Sequence, residues 1–400
     1  MTTVIDPRNM EQKSMTSSNR IGIVGTGFIA RAVSRLILNH HPDLQITGAY
    51  TRRDISTIDD YPLPDVLTNS LDQVIDNADI LLECSGDVLN ATVAVDKAFS
   101  AGLPVVTMDT EFHVTTGSWF ADKGYLTEAE GDQPGCLAAL HEECIQMGFE
   151  PLVYGNMKGY LNHNPSREDM EFWSKKQGFS LDQTTSFTDG TKLQFEQAFI
   201  ANGLGATITK QGMEGPRTDD TTETAKKLAE IAVEKGQPIA DFIVSLGQPP
   251  GVFITAKHDE AERGMLANIK MGEGPYYVLM RNYHLCAIEI VKTIRRVMNG
   301  GPVLLNNSSR PTVGMVSIAK SGLKAGSTIK RGIGGFEVRG EAALLSEAPE
   351  NHVPIGLLSN AVLTRDIEPG EILTWDDVEL PASMALDIVM KLKEQQEKAA

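Results

Sequence analysis

The sequence predicts an α/β protein in three main parts: a parallel-sheet domain over residues 20–150, a central α+β domain over 151–310 and a small all-β module over 311–383. A loose tail (1–19) precedes them and a C-terminal helix (384–400) follows. Three observations support this reading. A short apolar run, Ile21 to Val24, meets a glycine turn and then an amphipathic helix in "RIGIVGTGFIARAVSRLIL". Apolar runs of strand length then alternate with helical periodicity, the pattern of a parallel sheet. The last quarter breaks into short stretches punctuated by Gly and Pro, as compact β modules do.

In the first segment Gly25 permits the tight turn and Gly27 lets backbone approach a pyrophosphate. The small Ala30 lets helix close on strand, and the helix N-terminus, with Phe28 and Ile29 in its first turn, attracts phosphate. In that strand, turn and helix context GxGxxA predicts a Rossmann-type dinucleotide-binding domain, with Ala30, Val33, Leu36 and Ile37 on the helix's inward face. "LQITGAY" is the second strand and "ADILLECSG" another; "DVLNATVAVDKAFSAG" is a helix with Val88, Ala91, Val95 and Ala98 inward and Gly102 as its stop. "LPVVTM" adds one more strand. The second strand ends in "YTRRD" where an NAD site presents an acid to the ribose. Thr51, Arg52 and Arg53 stand there instead, and two guanidinium groups can fork a 2′-phosphate, which favours NADPH; the alternative is a solvated arginine pair beside Asp54. Ser85 and Gly86 end their strand where backbone passes closest to a nicotinamide.

Composition narrows the partners. A 400-residue chain that is 41% hydrophobic can bury a sizeable core, and its formal net charge of -17 argues against nucleic acid and anionic membranes. Small molecules or a second copy of the chain fit better. The first 19 residues lack the features of a signal peptide, and no apolar run has membrane-spanning length, so a cytoplasmic protein is expected. Cys84, Cys136, Cys144 and Cys286 show no CxxC spacing and read as free thiols.

Polar residues gather at the ends of elements. "PVVTMDTEFHV" sets Asp109, Glu111 and His113 directly after a buried strand, and "GNMKGY" delivers Lys158 from a strand end. "TSFTDGTKLQFEQAFIANGLG" puts Asp189 and Lys192 at a helix start, with Glu196 one turn later on the same face. A cation in a first helical turn opposes the dipole, so Lys192 calls for an anionic partner: Glu196, Asp189 or a substrate phosphate. His284 and Glu289 are expected on a helix whose Leu285, Ile288, Val291 and Ile294 face the core. For each of these groups an exposed salt bridge is the plain alternative. In the last quarter "AKSGLKAGSTIKRGIGGFEVRG" and "VLTRDIEPGEILTWDDVELP" share a pattern in which Leu323 and Gly326 answer to Ile367 and Gly370, a weak duplication; "MALDIVMKLKEQQEKAA" is a short helix that turns polar and frays.

The N-terminal half resembles the nucleotide-binding domain of homoserine dehydrogenase, and "PIGLLSNAVLTRDIEPGEILTWDDVEL" is similar to the SAF (β-clip) domain. With "GDQPG", "GNMKGY", "DGTKLQFE", Asn202, "GMEGP" and "GPYYVLMRNYHL", the chain looks like the homoserine-dehydrogenase-like oxidoreductases that carry a SAF domain, the 1-deoxy-D-xylulose 5-phosphate reductoisomerase-like family of isoprenoid precursor synthesis. That resemblance implies a homodimeric, NADPH-dependent oxidoreductase acting on a small, phosphorylated, polyhydroxylated carbonyl compound. Its strongest form is reductoisomerisation to 2-C-methyl-D-erythritol 4-phosphate. It also implies Asp109 and Glu111 as ligands of Mg²⁺ or Mn²⁺, with Asp132 able to add a third oxygen, and Lys158, Asp189, Lys192, Glu196 and His284 as catalytic groups. A metal-independent sugar or amino-alcohol dehydrogenase and a non-catalytic NADP- or sugar-binding protein remain open alternatives.

Overall fold

The structure, a computed structural model, describes residues 19–399; the tail expected over 1–19 lies outside them except for Asn19. The chain begins with β1 (Arg20–Val24), α1 (Phe28–His40), β2 (Gln45–Tyr50), β3 (Leu67–Thr68), α2 (Leu71–Asp76), β4 (Ile80–Glu83), α3 (Val88–Ser100), β5 (Val105–Thr107), α4 (Thr110–Thr115) and β6 (Leu126–Glu128). The six strands form one parallel sheet in the order β3-β2-β1-β4-β5-β6. β1, β4 and β5 carry Ile23, Leu82 and Val106 at 0% exposure because helices cover both faces of the sheet. The helix faces lie as expected: Ala30, Val33 and Ile37 on α1, and Val88, Ala91, Val95 and Ala98 on α3, are buried, and Gly102 takes a left-handed φ of +74° just beyond α3.

The central part follows as α5 (Gln133–Gln146), β7 (Glu150–Lys158), α6 (Arg167–Gln177), α7 (Leu181–Asp189), α8 (Thr191–Gly203), α9 (Thr221–Lys235), β8 (Ile239–Val244), β9 (Gly251–Lys257), α10 (Arg263–Asn268) and β10 (Tyr277–Arg281). Its sheet runs β10-β9-β7-β8, with β7 parallel to β8 and the other pairs antiparallel. The chain then returns to the first sheet through α11 (Cys286–Met298), whose Ala287, Ile290, Val291 and Ile294 join the core around Ile21 and Ile37. Of the inward stripe expected on α11, Val291 and Ile294 are buried, whereas Leu285 and Ile288 are 45% and 57% exposed and His284 lies before the helix, because the helix starts at Cys286 and its first turns dock through Ala287 and Ile290 instead.

In the last part β11 (Val313–Ala319), β12 (Thr328–Ile329), β13 (Val338–Leu344), β14 (Ala361–Leu363) and β15 (Val378–Glu379) make a β11–β13 pair and a β12-β14-β15 sheet. The duplication seen in the sequence has a structural counterpart. Leu323 and Ile367 exchange both backbone hydrogen bonds at 2.9 Å, Gly326 N donates to Leu363 O, and Gly370 N donates to Ala319 O. An offset of 44 residues maps each half of this arrangement onto the other, and both glycines hold the positive φ that the turn requires, +77° and +84°. The final helix, α12 (Met384–Ala399), is anchored through its first half: Ile388 joins the core beside α3, and Ala385 and Val389 are buried near Leu357. Among the described residues no helix is long and apolar enough to cross a membrane.

Candidate active site

Two adjoining features lie along the carboxyl edge of the parallel sheet. The first is a cleft of about 500 Å³ lined by Gly25, Thr26, Gly27, Arg31, Tyr50, Thr51, Arg52, Arg53, Ser85 and Asn90. A dinucleotide fits its construction. Gly25 has φ +117° and a Cβ there would lie 2.9 Å from Cys84 O, whereas at Gly27 nothing stands within 4 Å, which leaves room for a pyrophosphate at the start of α1. Phe28 and Ile29 open that helix, and Phe28 sets its ring edge-on to Phe179 at 5.3 Å. The arginine loop is pinned to the cleft. Arg53 Nη2 donates to Thr26 O at 3.1 Å and to Thr26 Oγ1 at 2.8 Å, Arg52 pairs with Asp87 across the cleft, and Asn69 Nδ2 holds the carbonyls of Thr51 and Arg53. Arg52 remains exposed and able to meet an anion.

Beside Ser85, which lines the cleft, the end of β4 carries a group that the sequence reading overlooked. Glu83 is fully buried, accepting hydrogen bonds from Ser85 N at 2.9 Å, Ser85 Oγ at 2.6 Å and Thr107 Oγ1 at 3.1 Å. Burial pushes its carboxyl up to about 7, against the pull of those donors. The available signal was a carboxylate closing an otherwise apolar run in "ADILLECSG". Gly86, with φ +64°, turns the chain away after Ser85.

The folded Glu83 keeps its proton to about pH 7 while the unfolded chain releases it near the usual 4.5, so this group's contribution to stability declines as pH rises through that window. We expect Glu83→Gln to unfold like the parent near pH 5 and to be more stable by about 3 kcal/mol at pH 8, read by denaturant titration at both pH values.

The second feature is a polar cluster contributed by four elements. Lys192, in the first turn of α8, donates to Thr110 Oγ1 at 3.2 Å, Glu111 Oε2 at 3.2 Å and Asp132 Oδ2 at 3.0 Å. Lys158, the last residue of β7, donates to Glu196 Oε2 at 3.0 Å and to Gln133 Oε1. Asn156 Nδ2 holds the same Glu196 oxygen at 2.9 Å. Asp132 caps α5 through Gln133 N and turns its other oxygen to Lys192. Burial works against charge on Lys192, but the carboxylates of Asp132 and Glu111 overcome it and hold the ammonium well above its usual range. Asp132, equally buried, is kept below its usual range by Lys192 and His284; Glu196 is raised by burial, with Lys158 opposing.

The partners of several expected site residues differ from the sequence reading. Lys192 meets Glu111 and Asp132 rather than Glu196 or Asp189, because α8 packs against α4, which carries Glu111, and α5, which Asp132 caps. Asp189 is not in the cluster; it forms a buried ion pair with Lys320 at 2.6 Å. His284 borders the cluster, its Nδ1 3.1 Å from Gly131 O. Asp109, expected with Glu111 as a metal ligand, is the N-cap of α4, its Oδ1 accepting from Phe112 N at 2.9 Å, and Glu111 stands in the first turn of that helix rather than on an extended strand. Glu111 is taken by Lys192, an ammonium standing where a divalent ion would bridge Glu111 and Asp132. Among the described residues no group of three His, Cys, Asp or Glu side chains is placed to hold a metal ion. His113 lies beneath, stacked on Phe199 at 4.2 Å with Nε2 3.4 Å from Glu128 Oε2, and burial keeps the ring neutral by lowering it to about 3.

Residues 131–290 match the family described as oxidoreductase DRL, catalytic domain. That segment holds Lys158, Lys192, Glu196 and Asp132, and the chain is an oxidoreductase. No curated protein matches the chain. Among solved structures, amine dehydrogenase from Mycobacterium smegmatis overlays with a TM-score of 0.41 at 12% identity, covering 74% of this chain and 95% of that one. UDP-N-acetylglucosamine 3-dehydrogenase from Acidithiobacillus ferrooxidans gives 0.40 at 11%, covering 72% and 91%. Apo scyllo-inositol dehydrogenase from Lactobacillus casei gives 0.39 at 10%, covering 72% and 90%. At that level of likeness none of them bears on the substrate of this chain.

Proposed function

We propose that the protein catalyses the NADPH-dependent reduction of a small, uncharged, polyhydroxylated carbonyl compound, with Lys158 as the acid at the carbonyl oxygen. One observation carries the reading. An ammonium has three hydrogens; those of Lys192 meet three acceptors, whereas Lys158 has two among the described residues and keeps one N–H for a substrate. Held in the cleft, a reduced nicotinamide supplies hydride. Lys158 donates its free N–H to the carbonyl oxygen, stabilises the negative charge that develops there, and passes a proton to the alkoxide. Glu196 and Gln133 fix the direction of that N–H, and Lys192 holds Glu111 and Asp132 in place around the substrate's hydroxyl groups.

Charge supports an uncharged substrate. Lys158 and Lys192 face Glu111, Asp132 and Glu196, so the cluster has no cation to spare for a phosphoryl group. The reductoisomerase reading needs a phosphate site and a metal between Asp109 and Glu111, and this arrangement favours the simpler carbonyl reduction. The exposed guanidinium of Arg52 supports NADPH over NADH. Homodimerisation is retained as a proposal from the family resemblance, and sedimentation velocity tests it.

The test is NADPH consumption against aldoses, ketoses, their phosphates and 1-deoxy-D-xylulose 5-phosphate, each with Mn²⁺ and with chelator. Turnover of an unphosphorylated sugar in chelator is expected, with Arg52→Ala weakening NADPH binding and leaving NADH binding unchanged. Turnover confined to 1-deoxy-D-xylulose 5-phosphate with Mn²⁺ would establish the reductoisomerase instead.

A further inference from the structure

α8 faces two ways. One side presents Lys192 and Glu196 to the polar cluster; another lies along β13 of the C-terminal β module. The second contact is specific: Gly340 N donates to Thr191 Oγ1 at 3.0 Å and Ala342 N donates to Gln194 Oε1 at 2.9 Å. At the start of the helix the module reaches further. Lys320, directly after β11, has a side chain only 1% exposed and donates to Asp189 Oδ2 at 2.6 Å and to Gly335 O at 2.7 Å. The other oxygen of Asp189 accepts from Thr191 N at 2.8 Å, and Gly190, with φ +88°, is the single residue between α7 and α8. One buried ammonium thus ties the module to the turn from which α8 departs, three residues before Lys192.

We propose that Lys320 is a positioning residue: through Asp189 it sets the first turn of α8 and so the placement of Lys192 in the active site, which makes the C-terminal module the backing of the catalytic cluster. A side chain fastened at both ends has one placement, and a displacement of about 1 Å at a reacting group can cost roughly 10²-fold in rate. A purely stabilising ion pair would act differently, since replacing both of its charges together restores much of what either single replacement loses.

The effect on catalysis rests on the function proposed above, but the placement of Lys192 can be read without turnover. The experiment follows acylation of Lys192 by acetic anhydride, by peptide mass spectrometry, in the full-length protein and in Lys320→Met, Asp189→Asn and the double variant. The expected result is labelling of Lys192 several-fold faster in each variant. It stays fast in the double variant even as its unfolding midpoint recovers, and NADPH affinity is unchanged throughout. Unchanged labelling in those variants that fold overturns the proposal, as does labelling that returns to the parent rate in the double variant. If the parent reduces no carbonyl compound, the function reading fails while the labelling still decides whether Lys320 positions Lys192.

Discussion

Lys158→Met is expected to lower kcat by roughly 10³-fold, within the range for removal of a positioned acid, while NADPH affinity stays at the parent value. The reason is local. Lys158 leaves β7 at its last residue, its two inward hydrogen bonds end on Gln133 and Glu196, and its side chain is 20% exposed, enough for a substrate to reach the remaining N–H. Lys158→Arg separates two roles. A guanidinium supplies positive charge and hydrogen bonds but does not release its proton near neutrality, so a role in charge stabilisation alone predicts a mild loss and proton transfer predicts a loss close to that of Met. We expect the second. Steady-state kinetics with fluorescence titration of NADPH checks both variants.

The second large effect is on Lys192→Met, and it falls on the fold as well as on rate. Glu111 and Asp132 would be left in a mostly buried site without the ammonium that meets them both, and breaking a buried pair by removing one partner costs about 3–5 kcal/mol. The unfolding midpoint in urea should drop accordingly, with kcat reduced as the two carboxylates repel each other and shift. Replacing Glu111 by Gln in the Lys192→Met background removes one stranded charge and should recover part of the stability. A Lys192→Met protein as stable as the parent would show that the cluster is solvated and the ion pairs weak.

The features legible in the sequence were those written in local pattern. "GTGFIA" between an apolar run and an amphipathic helix specifies the glycine turn that the structure shows, because the steric demand at Gly25 is met within a few residues. The paired turns at Gly326 and Gly370 were visible as a repeat for the same reason. Partner choice was not legible. Lys192 had an evident need for an anion, but Glu111 and Asp132 lie 81 and 60 residues away, and Asp189 finds its counter-charge 131 residues on at Lys320. Such pairings belong to the packing of α8 against two sheets, which no spacing rule contains. The Asp-x-Glu pair shows a different limit: its spacing was read on strand alternation, but capping by Asp109 starts a helix one residue later, so Glu111 stands in a helical turn. On α11 the second half of the expected stripe, Val291 and Ile294, is buried and the first half is not, since Leu285 and Ile288 are as apolar as Ala287 and Ile290, which dock in their place.

The proposed function has this site reduce a carbonyl carbon directly, with Lys158 protonating the oxygen. The most direct measurement is transfer of deuterium from NADPH labelled on the nicotinamide C4 to an unphosphorylated sugar that the enzyme turns over, with chelator present, followed by mass spectrometry and NMR of the product. One deuterium is expected on the new carbinol carbon, formed at the same rate with and without chelator and lost in Lys158→Met. Deuterium on a rearranged carbon skeleton, or transfer that stops when chelator is added, would contradict it.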